Sequence, residues 1–306
     1  MAIQTVALVG ANGRLGPSIL QALLDTGSLK VSVLTRASSK STYPSSVNVL
    51  KTDDDLPYDQ LVKALTGQDA LILAFSGTQK DNSIKLANAA FEAGVTHIIP
   101  ADFGSCDSSD PRSLDLVPLY VNKKDVRDHL VELSKKTRSE GGTTSWTSLI
   151  SGHFFDYGLK SGLLSMDVEK CKARVFDDGN HNFSATTLAT IGLATARILQ
   201  KADDSRLKNR LVYIQSIRTT QNDLISTVEE ITGKKYEVEK VSSDVFIKEN
   251  KEHLDKDQGN PEVIEHLVTV EGLVNADWTN KGDAFVNDLL QLPKEDLKDL
   301  VTRALK

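Results

Sequence analysis

A glycine-rich turn near the start of the chain constrains the fold more than any other sequence feature. Residues 5–9 form an apolar run long enough for one buried strand, and Gly10 to Gly16 follow it as Gly-x-x-Gly-x-x-Gly. Ser18 to Leu24 then place apolar residues at helical spacing. Glycine permits positive φ and close backbone approach, and a helix start presents N–H groups to an anion. The order of strand, glycine turn and helix predicts a dinucleotide-binding unit.

The residues of this turn are the first predicted cofactor contacts. A pyrophosphate is expected to lie against the turn and against the positive end of the following helix dipole. The predicted cofactor-binding residues of the turn are Gly10, Asn12, Gly13, Arg14, Leu15 and Gly16.

The segment after the second predicted strand indicates which dinucleotide is bound. Folds that bind the non-phosphorylated cofactor usually place a carboxylate there, whereas Thr35 to Lys40 contain none. The Arg36 guanidinium is suited to stacking on adenine and to forming paired hydrogen bonds with a 2′-phosphate, with Lys40 as a further donor. The sequence therefore predicts NADP(H), with a solvated loop charge as the alternative interpretation of Arg36.

Composition favours a globular enzyme that acts on a small molecule. The 306 residues carry a net charge of −6, which disfavours a nucleic-acid partner. Apolar runs are shorter than the roughly 18 residues of a membrane span, and no metal-ligand spacing is present in the sequence. We therefore expect a cytoplasmic monomer or homodimer with a small-molecule substrate, no membrane partner and no metal.

Strand and helix patterns alternate along the first half of the chain, which predicts an α/β fold with a doubly wound parallel sheet. We expect an NADP(H)-binding Rossmann domain over residues 1–155. Residues 156–306 are expected to form a smaller C-terminal α/β substrate lobe, with some elements returning to the first domain. Ligands of such sheets bind outside the carboxyl ends of the strands. Phe75 follows the fourth predicted strand and is a candidate adenosine or pyrophosphate contact, with ordinary core packing as the alternative.

Several further segments carry a family resemblance. They are the glycine turn, Arg36, the segments 100–105, 116–123 and 151–159, and the short runs 177–179, 183–184 and 219–222. With these motifs the chain resembles fungal members of the isoflavone reductase-like and NmrA-like group of atypical short-chain reductases. The resemblance implies NADPH-dependent reduction of a small aromatic, phenolic or other secondary-metabolite substrate at a C=C or C=O bond. The alternative is a non-catalytic NADP(H)-binding regulator that senses redox state.

The same resemblance implies a catalytic lysine four residues before an arginine, which is Lys123 before Arg127. An ammonium group there stabilises negative charge on the hydride acceptor and can also bind the nicotinamide ribose. The pair Tyr120 and Lys124 is an alternative, because it fits the Tyr-x-x-x-Lys spacing of short-chain dehydrogenases. An exposed, solvated helix face is the third interpretation. Phe103 is implied to lie beside the cofactor.

The tip of the sixth predicted strand supplies the candidate substrate contacts His153, Phe154 and Phe155. Adjacent strand residues point to opposite faces, so one phenylalanine is expected to line a pocket and the other to pack in the core. His153 is either a proton donor or a structural residue.

Overall fold

The computed structural model describes residues 2–306 and divides into two compact units. The first comprises residues 2–102, Asn122–Leu149 and Ile191–Val212. The second comprises Phe103–Val121, Ile150–Thr190 and Tyr213–Lys306. Each unit has a hydrophobic core of its own.

Thirteen strands occur among the described residues. In chain order they are β1 (Thr5–Val9), β2 (Lys30–Arg36), β3 (Asn48–Thr52), β4 (Ala70–Leu73), β5 (His97–Ile99), β6 (Ser145–Ile150), β7 (His153–Phe154), β8 (Met166–Asp167), β9 (Lys172–Phe176), β10 (Phe183–Thr186), β11 (Arg210–Tyr213), β12 (Ile217–Thr219) and β13 (Glu237–Val241).

Eleven α-helices join these strands within residues 2–306, and a single 3₁₀ turn lies at Gly282–Ala284. The helices are α1 (Gly16–Asp25), α2 (Tyr58–Leu65), α3 (Lys80–Glu92), α4 (Pro111–Leu116), α5 (Pro118–Leu133), α6 (Phe155–Ser161), α7 (Leu188–Gln200), α8 (Gln221–Thr232), α9 (Ser243–Lys256), α10 (Pro261–Val274) and α11 (Leu297–Ala304).

The first unit is built on a seven-stranded sheet in the order β11-β6-β5-β4-β1-β2-β3. All pairings from β6 through to β3 are parallel. The central strand β4 is the apolar run Ala-Leu-Ile-Leu and is buried along its whole length, as a parallel strand covered on both faces must be. The predicted doubly wound α/β fold is confirmed.

The second unit contains two small three-stranded sheets, in the orders β12-β10-β7 and β13-β9-β8. Their pairings are mixed, since β12 runs antiparallel to β10 whereas β7 runs parallel to it. Helix α8 has a side-chain cap at its start, because Thr220 Oγ1 accepts a hydrogen bond from the Asp223 amide. It ends at Gly233, whose φ of +70° gives the left-handed C-terminal cap.

Candidate functional site

The glycine turn owes its shape to close backbone packing. Gly10 has φ +85°, and a Cβ atom there would lie 2.5 Å from the Ala74 carbonyl oxygen. A Cβ atom on Gly16 would lie 2.2 Å from the Gly10 oxygen. Both distances are impossible for a side chain, so Gly10 and Gly16 are required by the fold itself. The Gly13 amide closes the turn by donating to the Gly10 oxygen at 2.9 Å.

The start of α1 has the features of an anion site. Its N-cap residue is Leu15, an aliphatic side chain that has no oxygen with which to cap the helix. Pro17 at the first turn removes one N–H group and presets the helical φ. The remaining first-turn N–H groups are therefore available to an external acceptor, and the helix dipole favours a negative one.

A cavity of about 370 Å³ lies beside this turn, entirely within the first unit. Its walls come from the ends of β1 and β2, from the glycine turn, from the loops after β2, β3 and β4, and from α3. Of the predicted cofactor-binding residues, those that line it are Gly10, Asn12, Gly13, Arg36 and Phe75. Phe75 also packs against the core of the first unit.

The other predicted cofactor-binding residues of the first unit are not among those that line this cavity. Leu15 and Gly16 are buried where α1 begins, and Arg14 is exposed in the turn. Lys40 is exposed in the loop between β2 and β3. Lys123 lies on α5.

Arg36 faces a carboxylate that its own segment does not contain. Asp54, from the loop after β3, lines the same cavity, and its Oδ1 accepts a hydrogen bond from the Ser38 amide at 3.1 Å. Hydrogen bonds from Ser38, and more weakly the Arg36 guanidinium, lower the pKa of Asp54 below its usual value. We call Arg36, Ser38 and Asp54 the rim cluster; all three are exposed.

Sequence reasoning missed further residues that line this cavity, among them Tyr43, Leu56, Gln79 and Asn82. They come from loops and from α3, where no local pattern signals a ligand contact. The one signal in the sequence was their place after a strand, because the loops that follow β3 and β4 begin at the same edge of the sheet as the glycine turn.

Lys123 belongs to a buried network centred on Asp102. Its Nζ donates to the Asp102 carbonyl oxygen and lies 4.0 Å from Asp102 Oδ1. Asp102 Oδ2 accepts from Arg127 Nη1 at 3.1 Å and from Ser148 Oγ at 2.6 Å. The side chains of Lys123, Asp102 and Arg127 are exposed by only 9%, 2% and 6%. We call these four residues the buried cluster; its two cations and one carboxylate leave one net positive charge.

The two alternative candidates occupy different surroundings. The side chain of Lys124 is 39% exposed and pairs with Asp128 one turn along the helix surface. The Tyr120 hydroxyl is buried and lies 2.6 Å from Ser105 Oγ, so a serine does accompany this tyrosine. Burial raises the pKa of Tyr120 well above its ordinary value. Lys124 thus lies on a solvated face, whereas Lys123 lies in the buried network.

The remaining candidates lie in the second unit. Phe103 is buried and has φ +37°, a strained value for a residue with a side chain. Phe155 is fully buried in the core of this unit, whereas Phe154 is half-buried. Of the two phenylalanines, Phe155 is therefore the core residue, and Phe154 is the more exposed one.

His153 is 1% exposed, and its Nε2 lies 3.3 Å from the Thr269 carbonyl oxygen. A Cβ atom on Gly272 would lie 2.2 Å from the same nitrogen, so α10 packs directly on the ring. Burial lowers the pKa of His153 to about 4. The ring is therefore neutral near pH 7, and it donates to Thr269 in the tautomer that carries the proton on Nε2.

Within residues 2–306, no group of three or more His, Cys, Asp and Glu side chains is arranged to hold a metal ion. None of the helices in the described part of the chain is both long and apolar enough to span a bilayer.

Comparison with known proteins identifies the family. Residues 2–281 match the model of the NmrA-like family. The oxidoreductase AprR of Aspergillus flavus is 30% identical over 98% of both chains. An isoflavone reductase homologue of Zea mays is 29% identical over 81% of this chain and 80% of its own. AtPrR2, in a structure with NADP⁺ and (+)-pinoresinol, superposes with a TM-score of 0.75 at 21% identity, covering 99% of both chains. These matches confirm the family and the oxidoreductase class predicted from the sequence.

Proposed function

We propose that this chain, which belongs to the NmrA-like family, is an NADPH-dependent reductase of a small aromatic or phenolic substrate. The observation that carries the proposal is the cavity of the first unit, where the glycine turn and Arg36 line one space of about 370 Å³. The names of the relatives support an aromatic substrate, because isoflavone reductases are among them.

The residues present suit a phosphorylated dinucleotide. The uncapped start of α1 offers N–H groups to a pyrophosphate, and Arg36 offers a guanidinium to a 2′-phosphate. The nearby carboxylate of Asp54 would repel a 2′-phosphate, but both it and Arg36 are exposed, so solvent screens that repulsion. Lys40 lies on the same loop and can add a second positive charge.

When bound, the nicotinamide cofactor supplies the hydride. The protein must then stabilise the negative charge that develops on the acceptor oxygen or carbon. We assign this role to Lys123, whose ammonium donates to the Asp102 carbonyl and lies in the buried cluster. Arg127 and Ser148 hold the Asp102 carboxylate and so act as positioning residues for Lys123.

Two measurements on the full-length protein test the proposal. The first titrates NADPH and NADH and compares their dissociation constants; we expect NADPH to bind more tightly. The second follows NADPH oxidation against a panel of aromatic enones, quinones, isoflavonoids and aldehydes, and we expect turnover of at least one compound class. Tight NADPH binding without turnover across the panel would favour the redox-sensing regulator instead. Weak binding of both cofactors would overturn both functions.

A further inference from the structure

The loop between β2 and β3, residues 37–47, is fastened to the glycine turn by a side-chain bridge. The Tyr43 hydroxyl donates to Asn12 Oδ1 at 2.8 Å. The Asn12 amide nitrogen in turn donates to Ser41 Oγ at 2.5 Å. Asn12 therefore uses both ends of its amide group to hold this loop. Both Asn12 and Tyr43 line the cavity of the first unit.

Two further hydrogen bonds, both from backbone amides, hold the other end of the same loop. The Ala37 amide donates to the Thr52 carbonyl at 2.7 Å, and the Ser38 amide donates to Asp54 Oδ1 at 3.1 Å. The loop is thus tied to the end of β3 on one side and to the glycine turn on the other. Arg36 immediately precedes it. The bridge from Tyr43 to Asn12 therefore links the segment that follows Arg36 with the turn expected to hold the pyrophosphate.

We propose that Tyr43 is a cofactor-binding residue, and that its ring forms a wall for the adenosine half of the dinucleotide. The hydrogen bond from its hydroxyl to Asn12 fixes the distance between the positions expected for the 2′-phosphate and for the pyrophosphate. This inference rests on the proposed function, because it assigns a residue to that same cavity.

The surroundings of Tyr43 are suited to an adenine ring. Tyr43 is half-buried, and Leu34 and Leu56 contribute apolar surface to the same cavity. An aromatic ring combined with aliphatic side chains and a neighbouring guanidinium suits a flat, electron-rich base. The amide nitrogen of Asn12 carries two hydrogens, so donation to Ser41 leaves one for a phosphate oxygen.

The first test uses adenosine 2′,5′-bisphosphate, a probe that contains the adenosine half of NADPH and no nicotinamide. Tyr43→Ala removes ring and hydroxyl, and we expect its dissociation constants for the probe, NADPH and NADH to rise about tenfold or more. Tyr43→Phe keeps the ring and removes only the bridge to Asn12, so we expect a smaller rise, about two- to tenfold. Because all three ligands share the adenosine, we expect Tyr43→Ala to weaken the binding of NADH as well. Arg36→Ala, by contrast, is expected to weaken mainly the ligands that carry the 2′-phosphate.

Tyr58→Ala and Tyr58→Phe are the matched controls. The Tyr58 hydroxyl also makes one side-chain hydrogen bond at the surface of the first unit, to Glu92 Oε2 at 2.8 Å, but Tyr58 belongs to α2. We expect both variants to bind the probe as the wild type does. Thermal unfolding of every variant shows whether it folds, and Tyr43→Phe keeps the test valid if Tyr43→Ala is unstable.

The outcomes separate this inference from the proposed function. If the wild type binds neither NADPH nor the bisphosphate, the proposed function fails and the role of Tyr43 fails with it. If the wild type binds the probe and folded Tyr43→Ala binds it equally well, only the role of Tyr43 is overturned. Weaker probe binding in Tyr43→Ala, together with unchanged probe binding in Tyr58→Ala, supports the assignment.

Discussion

The first unit contains two clusters in which cations meet a carboxylate, and they differ in burial. In the rim cluster, Arg36 and Asp54 are exposed, and hydrogen bonds from Ser38 hold the carboxylate. In the buried cluster, Asp102 binds Arg127 and Ser148 through one oxygen, and Lys123 lies against its main chain and its other oxygen. Similar chemical groups therefore meet in water at one place and away from water at the other.

This difference in burial decides what each cluster can do. Interactions between exposed charges contribute little because water and salt screen them, so Arg36 can bind a ligand phosphate at small cost. Buried charges cannot exchange partners so easily, since losing one partner leaves the other charge uncompensated. The rim cluster is thus suited to recognising a ligand, and the buried cluster to holding one ammonium in a fixed place.

The strongest test of this comparison replaces the ammonium of the buried cluster. Lys123→Met keeps an unbranched side chain and removes the charge, and we expect kcat/KM to fall by about 10²- to 10⁴-fold. NADPH affinity is expected to fall by at most about tenfold, because Lys123 would contact only the nicotinamide ribose. Steady-state kinetics with the best panel substrate provide the measurement.

Lys124→Met is its matched control, since Lys124 is the adjacent lysine and pairs with Asp128 on the solvated face of α5. We expect its kcat/KM to match the wild type. Loss of activity in Lys124→Met with activity retained in Lys123→Met would instead support the pairing of Tyr120 with Lys124.

The next largest effect is expected on stability. Asp102→Asn removes the carboxylate between Lys123 and Arg127, and we expect the free energy of unfolding to fall by about 3–5 kcal/mol. Urea unfolding measures it. Asp128→Asn changes an exposed carboxylate that pairs with Lys124, and we expect a change of less than about 1 kcal/mol. Equal effects in the two variants would show that burial does not distinguish these carboxylates.

At the rim cluster the expected effect falls on cofactor choice. Arg36→Ala removes charge-assisted hydrogen bonds of about 1.5–3 kcal/mol each, so NADPH affinity is expected to fall roughly tenfold or more. NADH lacks the 2′-phosphate, so its affinity is expected to fall much less. Lys51→Ala, an exposed cation on the neighbouring strand, serves as the control. Equal weakening of NADPH and NADH by Arg36→Ala would contradict the 2′-phosphate assignment.

Burial lowers the pKa of three histidines: His129 on α5, and the fully buried His97 and His153, which lie one in each unit. Burial lowers the pKa of His97 and of His153 to about 4, below the ordinary value of 6.5. The unfolded chain therefore binds more protons between these values, and the free energy of unfolding falls as pH falls from about 6.5 towards 4. We expect a loss of about 1.3 kcal/mol per histidine between about pH 7.5 and about pH 5.5.

Urea unfolding at the two pH values measures this loss. His97 holds hydrogen bonds to Ser145 and Thr147 on β6, and His97→Gln is expected to remove about 1.3 kcal/mol of the pH-dependent loss. His253→Gln, at an exposed histidine, is the control and is expected to keep the full dependence. A free energy of unfolding that does not change over this range would show that both histidines titrate normally.

Much of the fold was determined by the sequence alone. The order of β1, glycine turn and α1, the fully apolar β4, and the capped start of α8 are all local patterns, and the structure contains each of them. These features could be predicted because hydrophobic periodicity and glycine geometry act between residues close in the chain. Short elements such as α4 and β12 were missed, since three to six residues carry too little periodicity.

The charged groups around the candidate site were decided only by the tertiary structure. Thr35 to Lys40 contain no carboxylate, yet Asp54 reaches the same cavity from the loop after β3. Asp102 gains its partners from α5 and β6, and Tyr43 reaches Asn12 across 31 residues of sequence. Such contacts join segments that are distant in the chain. Which of these segments meet is set by strand order and loop path, and no local pattern records either.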